Sequence, residues 1–183
     1  EQAKNRFFLQ GDPEAVLMLE VSADTIEEAE VLTDKLIEDL KANNFGYHYP
    51  KVYGEDIAKV HQLRKAGLGL LGNIVGDDKA VACIEDTAVA LEDLPNYIEE
   101  FTKIMDKYQQ RAVYYAHAGA GELHLRPILN LKKKEDVVLF RKITTETAEL
   151  VKKYQGSFSG EHGDGIVRAE FIPLMIGDKN YQL

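Results

Sequence analysis

The sequence has no tryptophan, one cysteine and five prolines among 183 residues. The single cysteine, Cys83, excludes an internal disulfide and favours a reducing compartment, so we expect a cytoplasmic protein. Cys83 lies in an apolar run, which predicts a buried core thiol rather than a nucleophile. No apolar stretch reaches the roughly 18 residues that a membrane-spanning helix requires, so no membrane span is expected.

Basic side chains are also few: 22 Lys and Arg against 31 Asp and Glu give a formal net charge of -9. This balance disfavours nucleic acids and anionic membranes as partners, because both need a basic surface. It is compatible with a small anionic substrate, which responds only to local charge. The sequence has no Walker A, Gly-x-Ser-x-Gly or Cys-x-x-Cys motif and no dinucleotide-binding glycine fingerprint. We therefore expect no nucleotide-binding fold within this chain.

The length is that of one domain with a proper hydrophobic core. The chain begins at Glu1 without an initiator methionine and ends at Leu183 without a clear helix stop. We expect residues 1–183 to be a single-domain fragment of a longer protein.

Strand and helix patterns are interspersed along the chain and predict an α+β fold. Compact apolar runs predict strands, and apolar residues spaced by three and four predict helices. We expect strands at 14–22, 47–52, 79–85, 112–117 and 122–127, helices at 25–43, 56–64, 94–108 and 135–154, and a loop or lid in the glycine-rich segment 65–72. This order predicts an antiparallel sheet with helices mainly on one face, similar to a duplicated ferredoxin-like unit, although no internal sequence repeat is evident.

The most informative motif places two histidines seven residues apart, in His117-Ala-Gly-Ala-Gly-Glu-Leu-His124. A tight turn between two antiparallel strands would bring these histidines to face each other, with Cβ atoms about 5 Å apart. One divalent metal ion with bonds of about 2 Å fits between two such imidazoles.

A second glycine-rich turn, Ser-Gly-Glu-His-Gly-Asp-Gly at 159–165, supplies Glu161 as a third, anionic ligand. Three protein ligands and an open position are typical of a catalytic metal site. On spacing alone, a structural interpretation is equally supported, in which the two histidines hydrogen-bond the turn and Glu161 is merely exposed.

Further residues are candidates for substrate chemistry. His162 directly follows Glu161, and neighbours in an extended segment point in opposite directions, so we expect a general base rather than a second ligand. Arg126 shares a strand face with His124 and is a candidate to bind a carboxylate through its guanidinium. The alternatives are a surface histidine at 162 and a salt bridge from Arg126 to Glu122.

Arg64 and Lys65, at the start of the glycine-rich segment 65–72, form a second cationic pair. Substrate binding by this pair and a solvated helix end are equally open interpretations.

The two glycine-rich motifs together resemble a known family. His-x-Gly-x-Gly-x-Leu-His followed by Ser-Gly-Glu-His-Gly-x-Gly resembles the C-terminal (cap) domain of the FAD-linked oxidases. That group includes glycolate oxidase, D-lactate dehydrogenase and D-2-hydroxyglutarate dehydrogenase. The segments Ile-Glu-Asp-Thr-Ala-Val at 84–89 and Leu-Pro-Asn-Tyr at 94–97 are similar to the stretch that precedes the histidine motif in that family. The resemblance covers most of the chain, from about residue 14 to residue 177.

The resemblance implies that the chain is the substrate domain of a flavoenzyme that oxidises a D-2-hydroxy acid of the lactate, glycolate or 2-hydroxyglutarate class to the 2-keto acid. It implies that FAD binds to a separate N-terminal domain. That domain is absent from this chain and is its expected partner. The remaining implied roles are a divalent metal, zinc or manganese, held by His117, His124 and Glu161; a base at His162; a substrate carboxylate held by Arg64; and cofactor contacts at Gly160 and Gly163.

Two departures from the common family pattern His-x-Gly-Asp-Gly-Asn-Leu-His are Ala120 and Glu122, and a third is Arg126 in place of the polar residue often found there. With these departures the sequence resembles one branch of the family, whose chains carry a C-terminal iron–sulfur region. We therefore expect iron–sulfur clusters elsewhere in the parent protein. The electron acceptor could place that parent at the periphery of a membrane. Two other functions stay open: a metal-dependent hydrolase and a non-catalytic α+β binding module.

Overall fold

A computed structural model of the chain describes residues 4–183, apart from the side chains of Leu68 and Leu70. The chain divides into two compact units, one up to Gly69 and one from Leu70. Each unit is described by itself below. The expectation of one single-domain fragment stays a prediction.

The first unit contains one long helix and most of a second. Helix α1 spans Ile26–Ala42 and begins at Thr25, whose hydroxyl oxygen accepts a hydrogen bond from the Glu28 amide at 3.2 Å. This contact satisfies one of the free amides of the first turn, as a side-chain cap at the start of a helix does. Helix α2 spans Glu55–Leu71. The predicted helix at 25–43 is therefore confirmed, and the one at 56–64 is longer than predicted.

Two strands predicted in this unit, at 14–22 and 47–52, are wrong. Among its described residues, 4–69, there is no strand, and Val16, Leu17 and Leu19 are exposed. An apolar run becomes a strand only when a neighbouring strand accepts its backbone hydrogen bonds. The described part of the unit supplies no such neighbour.

The glycine-rich segment 65–72 is not the predicted loop or lid, because α2 continues through it to Leu71. Gly67 and Gly69 do not adopt positive φ angles there. Each glycine costs about 1 kcal/mol within a helix, and the leucines, alanine and lysine around them favour the helix. Arg64 and Lys65 thus lie within α2.

The second unit is built on a four-stranded antiparallel sheet. Strand β4, Glu122–Leu129, pairs with three others: β1, Lys79–Ala80; β2, Ile84–Ala88; and β3, Ala112–His117. The predicted single strand at 79–85 is wrong in its bounds, because it is interrupted between Ala80 and Ile84, although the Val81 amide still donates to the Pro127 carbonyl oxygen at 2.9 Å. The register of β2 against β4 then shifts between Ile84 and Thr87, which marks a bulge at Glu85 and Asp86.

Two helices cover one face of this sheet. Helix α3 spans Leu94–Lys107 and helix α4 spans Lys134–Lys153, close to the predicted 94–108 and 135–154. Leu123 and Leu125 of β4 join the buried core that these helices close. Three short helices follow the second glycine-rich turn: α5, Gly165–Arg168; α6, Ile172–Ile176; and α7, Asp178–Tyr181.

The observed architecture confirms the predicted α+β class. The order strand, α3, β3, β4, α4 is that of a ferredoxin-like unit without its last strand, whose place is marked by a single antiparallel bridge between Ser157 and Ala88. The predicted duplication has no second sheet to support it among residues 4–69. Within the described chain, no helix has the length and apolar character needed to cross a membrane.

Candidate metal and catalytic site

The hairpin of β3 and β4 brings the two histidines of the first motif together. His117 of β3 pairs with Glu122 of β4, and Tyr115 of β3 pairs with His124 of β4. Because side chains alternate along a strand, His117 and His124 lie on the same face of the sheet. The imidazole ring centres of His117 and His124 are 5.3 Å apart. Because side chains alternate along β4, this face is the one opposite Leu123, Leu125 and the covering helices. The two imidazoles therefore lie on the face away from the hydrophobic core.

Gly121 makes this hairpin possible. Its φ angle of +70° lies in the left-handed region that side chains other than glycine rarely adopt. A Cβ at this position would also collide with the carbonyl oxygen of Val89, whose amide donates to the Gly121 carbonyl at 3.0 Å. Close backbone approach and turn geometry thus both require glycine.

The second glycine-rich turn places Glu161 beside the two histidines. Its Oε1 lies 4.0 Å from His117 Nε2 and 3.7 Å from His124 Nε2, and one ligand atom from each residue lies within 4.8 Å of the others. Two ligands on one tetrahedral ion with bonds of about 2.1 Å would be about 3.4 Å apart. Small side-chain rotations would close the remaining difference, so the residues fit the implied metal.

Burial of His124 also suits a ligand. The residue is 3% exposed, and neither ring nitrogen has a hydrogen-bond partner among the described residues. Burial lowers the pKa of His124 below its ordinary value, and the neighbouring Glu85 carboxylate opposes this shift. Burial thus favours the neutral imidazole, which is the form that binds metal. An unpaired buried polar group is unusual and calls for a partner.

His162 does not point away from Glu161 as its sequence neighbourhood predicted. Its Nε2 lies 3.2 Å from Glu161 Oε1, and its ring centre is 5.6 Å from that of His124. The prediction of opposite directions assumed an extended segment, whereas the chain bends at these residues. His162 therefore lies at the edge of the same cluster, exposed to solvent.

The bend is held by Asp86, a residue that sequence reasoning missed. One carboxylate oxygen, Oδ2, accepts hydrogen bonds from the amides of Glu161 and His162 at 2.9 and 2.7 Å and from the Ser159 hydroxyl at 2.9 Å. Asp86 is fully buried and has a φ angle of +57° at the bulge of β2. This conformation directs its carboxylate to the second turn, as bulges often re-aim a side chain near a site.

Arg168 of α5 completes the Asp86 network. Its Nη1 donates to Asp86 Oδ1 at 2.5 Å and also to the backbone carbonyl oxygens of Glu85 and Phe158. Burial alone would raise the pKa of Asp86, but the hydrogen bonds from the His162 amide, Arg168 and the other donors together lower it below its ordinary value. Asp86 is therefore a buried, charged anchor for the turn. The sequence signal was a pair of consecutive carboxylates inside an apolar run.

Arg126 makes a different pair from the one foreseen. Its Nη2 donates to both carboxylate oxygens of Glu85, at 2.5 and 2.7 Å, so the salt-bridge alternative named the wrong partner in Glu122. The bulge of β2 moves Glu85 into this position. Arg126 Nε is buried and has no hydrogen-bond partner among the described residues. A role of Arg126 toward the substrate stays a prediction.

Glu122 is a second carboxylate on this face. Burial raises its pKa above the ordinary value, and the negative charge of Glu161 raises it further. One of its carboxylate oxygens, Oε1, is buried without a partner among the described residues. Glu122 is not among the residues whose ligand atoms converge with those of His117, His124 and Glu161.

The two glycines predicted to contact a cofactor differ in their surroundings. A Cβ on Gly160 would approach the Asp86 carbonyl oxygen to 3.1 Å, whereas Gly163 has a φ angle of +78° and open space around it. Gly160 therefore allows the turn to pack closely on β2, and Gly163 allows the left-handed backbone conformation within the turn. Their cofactor contacts stay predictions, as do the substrate contacts of Arg64 and Lys65, which belong to the first unit.

The chain is similar in sequence to known proteins. Residues 2–183 match the family described as "FAD linked oxidases, C-terminal domain". A D-2-hydroxyglutarate dehydrogenase of Haemophilus influenzae is 40% identical over 135 residues, which are 74% of this chain and 13% of that protein. One from Escherichia coli is 32% identical over 169 residues, 92% of this chain and 16% of that protein.

The glycolate oxidase protein GlcD of Bacillus subtilis is 23% identical over 122 residues, 67% of this chain and 25% of that protein. The chain thus spans a quarter or less of the length of these three relatives. The family match, by contrast, covers almost every residue of the chain. The chain belongs to the family of the C-terminal domains of FAD-linked oxidases.

Proposed function

We propose that this chain is the substrate- and metal-binding domain of a flavin-dependent dehydrogenase that oxidises a D-2-hydroxy acid to the 2-keto acid. The observation that carries this proposal is the convergence of His117, His124 and Glu161 beside His162 in a chain of this family. The similarity to D-2-hydroxyglutarate dehydrogenases favours a substrate of that class, a dicarboxylate with a hydroxyl beside one carboxylate. The family match gives no support to the hydrolase and binding-module alternatives.

In this proposal His117, His124 and Glu161 would hold a divalent ion, zinc or manganese, which would supply positive charge next to the substrate hydroxyl. The flavin, on a domain outside this chain, supplies the hydride acceptor. The present chain would bind and orient the substrate. The parent protein would also carry iron–sulfur clusters outside this chain.

His162 is the proposed base. It is exposed, and its Nε2 lies 3.2 Å from Oε1 of Glu161, one of the three residues that would hold the metal. The Asp86 contact to the His162 amide fixes its backbone, so the imidazole can take the hydroxyl proton from a defined position. Arg64, Lys65 and Arg126 are proposed to hold the substrate carboxylates.

The test is steady-state kinetics of the parent enzyme on D-2-hydroxy acids with a dye as electron acceptor. We expect His162→Ala to lower kcat by about 10²–10⁴-fold, because a positioned base acts in the transition state. We expect Arg64→Ala and Arg126→Ala mainly to raise KM, because they would remove ground-state binding of a carboxylate. His48→Ala, which removes an exposed histidine of the first unit, is the matched control. Near-normal kcat in the His162 variant would remove this residue from the mechanism.

A further inference from the structure

Glu85 and Arg126 form a pair beside the buried His124. Glu85 Oε1 lies 3.5 Å from His124 Nδ1, which is the ring nitrogen opposite the one that approaches Glu161. Both oxygens of Glu85 accept hydrogen bonds from Arg126 Nη2. The His124 ring therefore lies between two carboxylates, with Glu161 at Nε2 and Glu85 at Nδ1.

Glu85, His124 and His162 also offer ligand atoms within 4.8 Å of one another, which is compatible with a second metal position. The Arg126 guanidinium argues against that use, because it already neutralises the Glu85 carboxylate. A divalent ion at Glu85 would lie next to this fixed positive charge and be repelled by it. Glu85 is thus better suited to hold His124 than to bind an ion itself.

We propose that Glu85, held by Arg126, is a positioning residue that fixes the His124 ring with its hydrogen on Nδ1 and its lone pair on Nε2. A small ring rotation closes the distance of 3.5 Å to a normal hydrogen bond. The Nε2 lone pair then points toward Glu161, as a metal ligand must. Histidines that bind metals usually donate their other N–H to a carboxylate in this way. The consequence for metal binding rests on the proposed function, whereas the ring orientation belongs to the chain itself.

The first measurement is the tautomer of His124 in the metal-free 183-residue chain, read from ¹⁵N chemical shifts of its ring by NMR. We expect the Nδ1–H tautomer. An Nε2–H tautomer in the unaltered chain would overturn the proposal without any variant being made.

The second measurement is Zn²⁺ affinity of the same chain in competition with a chromophoric chelator. We expect Glu85→Ala to weaken Zn²⁺ binding about 10–100-fold, as loss of an outer carboxylate typically does. Glu85→Gln keeps an acceptor oxygen and is expected to fall between Glu85→Ala and the unaltered chain. Glu149→Ala removes an exposed carboxylate from α4 and should leave the affinity unchanged.

The two measurements separate this inference from the proposed function. If the unaltered chain binds Zn²⁺ and Glu85→Ala binds it equally well, the inference is overturned while the metal site stands. If the unaltered chain binds no Zn²⁺, the metal proposal fails, and the His124 tautomer still decides the role of Glu85. If Glu85→Ala does not fold, two measurements still decide the proposal. These are the His124 tautomer in the unaltered chain and the Zn²⁺ affinity of Glu85→Gln.

Discussion

Replacing Asp86 should destabilise the second unit more than replacing any exposed aspartate does. The carboxylate accepts hydrogen bonds from two backbone amides, one hydroxyl and the Arg168 guanidinium, all near the buried bulge of β2. Asp86→Ala would leave Arg168, which is 5% exposed, as a buried charge without its carboxylate. Breaking a buried ion pair by removing one partner costs about 3–5 kcal/mol. This is a large part of the roughly 5–15 kcal/mol by which domains are stable.

The assay is urea unfolding followed by far-UV circular dichroism, because the chain has no tryptophan for fluorescence. At a slope of about 2 kcal/mol per molar urea, the predicted loss lowers the unfolding midpoint by roughly 2 M. Asp106→Ala, on an exposed position of α3, is the control and should change the free energy of unfolding by less than about 0.5 kcal/mol. A loss below about 1 kcal/mol in Asp86→Ala would refute the argument that this carboxylate anchors the turn.

The same residue predicts an acid dependence. The pKa of Asp86 is lower in the folded chain than in the unfolded one, so the unfolded chain takes up the proton first as pH falls. The stabilisation by Asp86 is complete above its ordinary pKa of about 3.9 and is lost as pH falls through the lower, folded-state value. Asp86→Asn, measured by the same unfolding assay, should be less sensitive to acid than the unaltered chain over this range. Equal acid sensitivity would mean that other carboxylates dominate it.

Three further predictions concern the hairpin and the core. Gly121→Ala should cost at least about 2 kcal/mol in the urea assay, because it combines a left-handed φ with a clash at the Val89 carbonyl; Gly119→Ala, in the same turn with open space, should cost much less. Glu122→Gln should raise the free energy of unfolding at neutral pH. Because the pKa of Glu122 is raised in the folded chain, the folded chain binds this proton more tightly than the unfolded chain does, and the charged carboxylate opposes folding at neutral pH. Unchanged or lower stability would contradict this. Burial raises the pKa of the Cys83 thiol to about 11, so this thiol should react with a thiol reagent only after unfolding; rapid labelling of the native chain would show that it is accessible.

The sequence predicted best those elements whose pattern depends on local spacing. The apolar faces of α3 and α4 and the paired strands around Gly121 repeat at intervals that a single segment fixes by itself. The facing of His117 and His124 followed from that hairpin. The sequence also placed Glu161 near them, because its glycine-rich turn had the residue types of a ligand loop.

The errors arose where structure depends on distant partners. The apolar run at 14–22 has the composition of a strand but no hydrogen-bonding neighbour among residues 4–69. The bulge at Glu85 and Asp86 is invisible in a local pattern, because it appears only in the register against β4. That bulge determines that Glu85 pairs with Arg126 and that Asp86 anchors the turn of Glu161. These contacts around the site could therefore not be predicted from sequence spacing.

The central claim is that His117, His124 and Glu161 together bind one divalent ion. The most direct measurement is calorimetric titration of Zn²⁺ and Mn²⁺ into the chelator-treated chain and into His117→Ala, His124→Ala and Glu161→Ala, with His48→Ala as control. We expect one ion per unaltered or His48→Ala chain, and each ligand variant should lose more than the roughly 10–100-fold typical of an outer contact. Equal binding in all four variants, or no binding by the unaltered chain, would contradict the account.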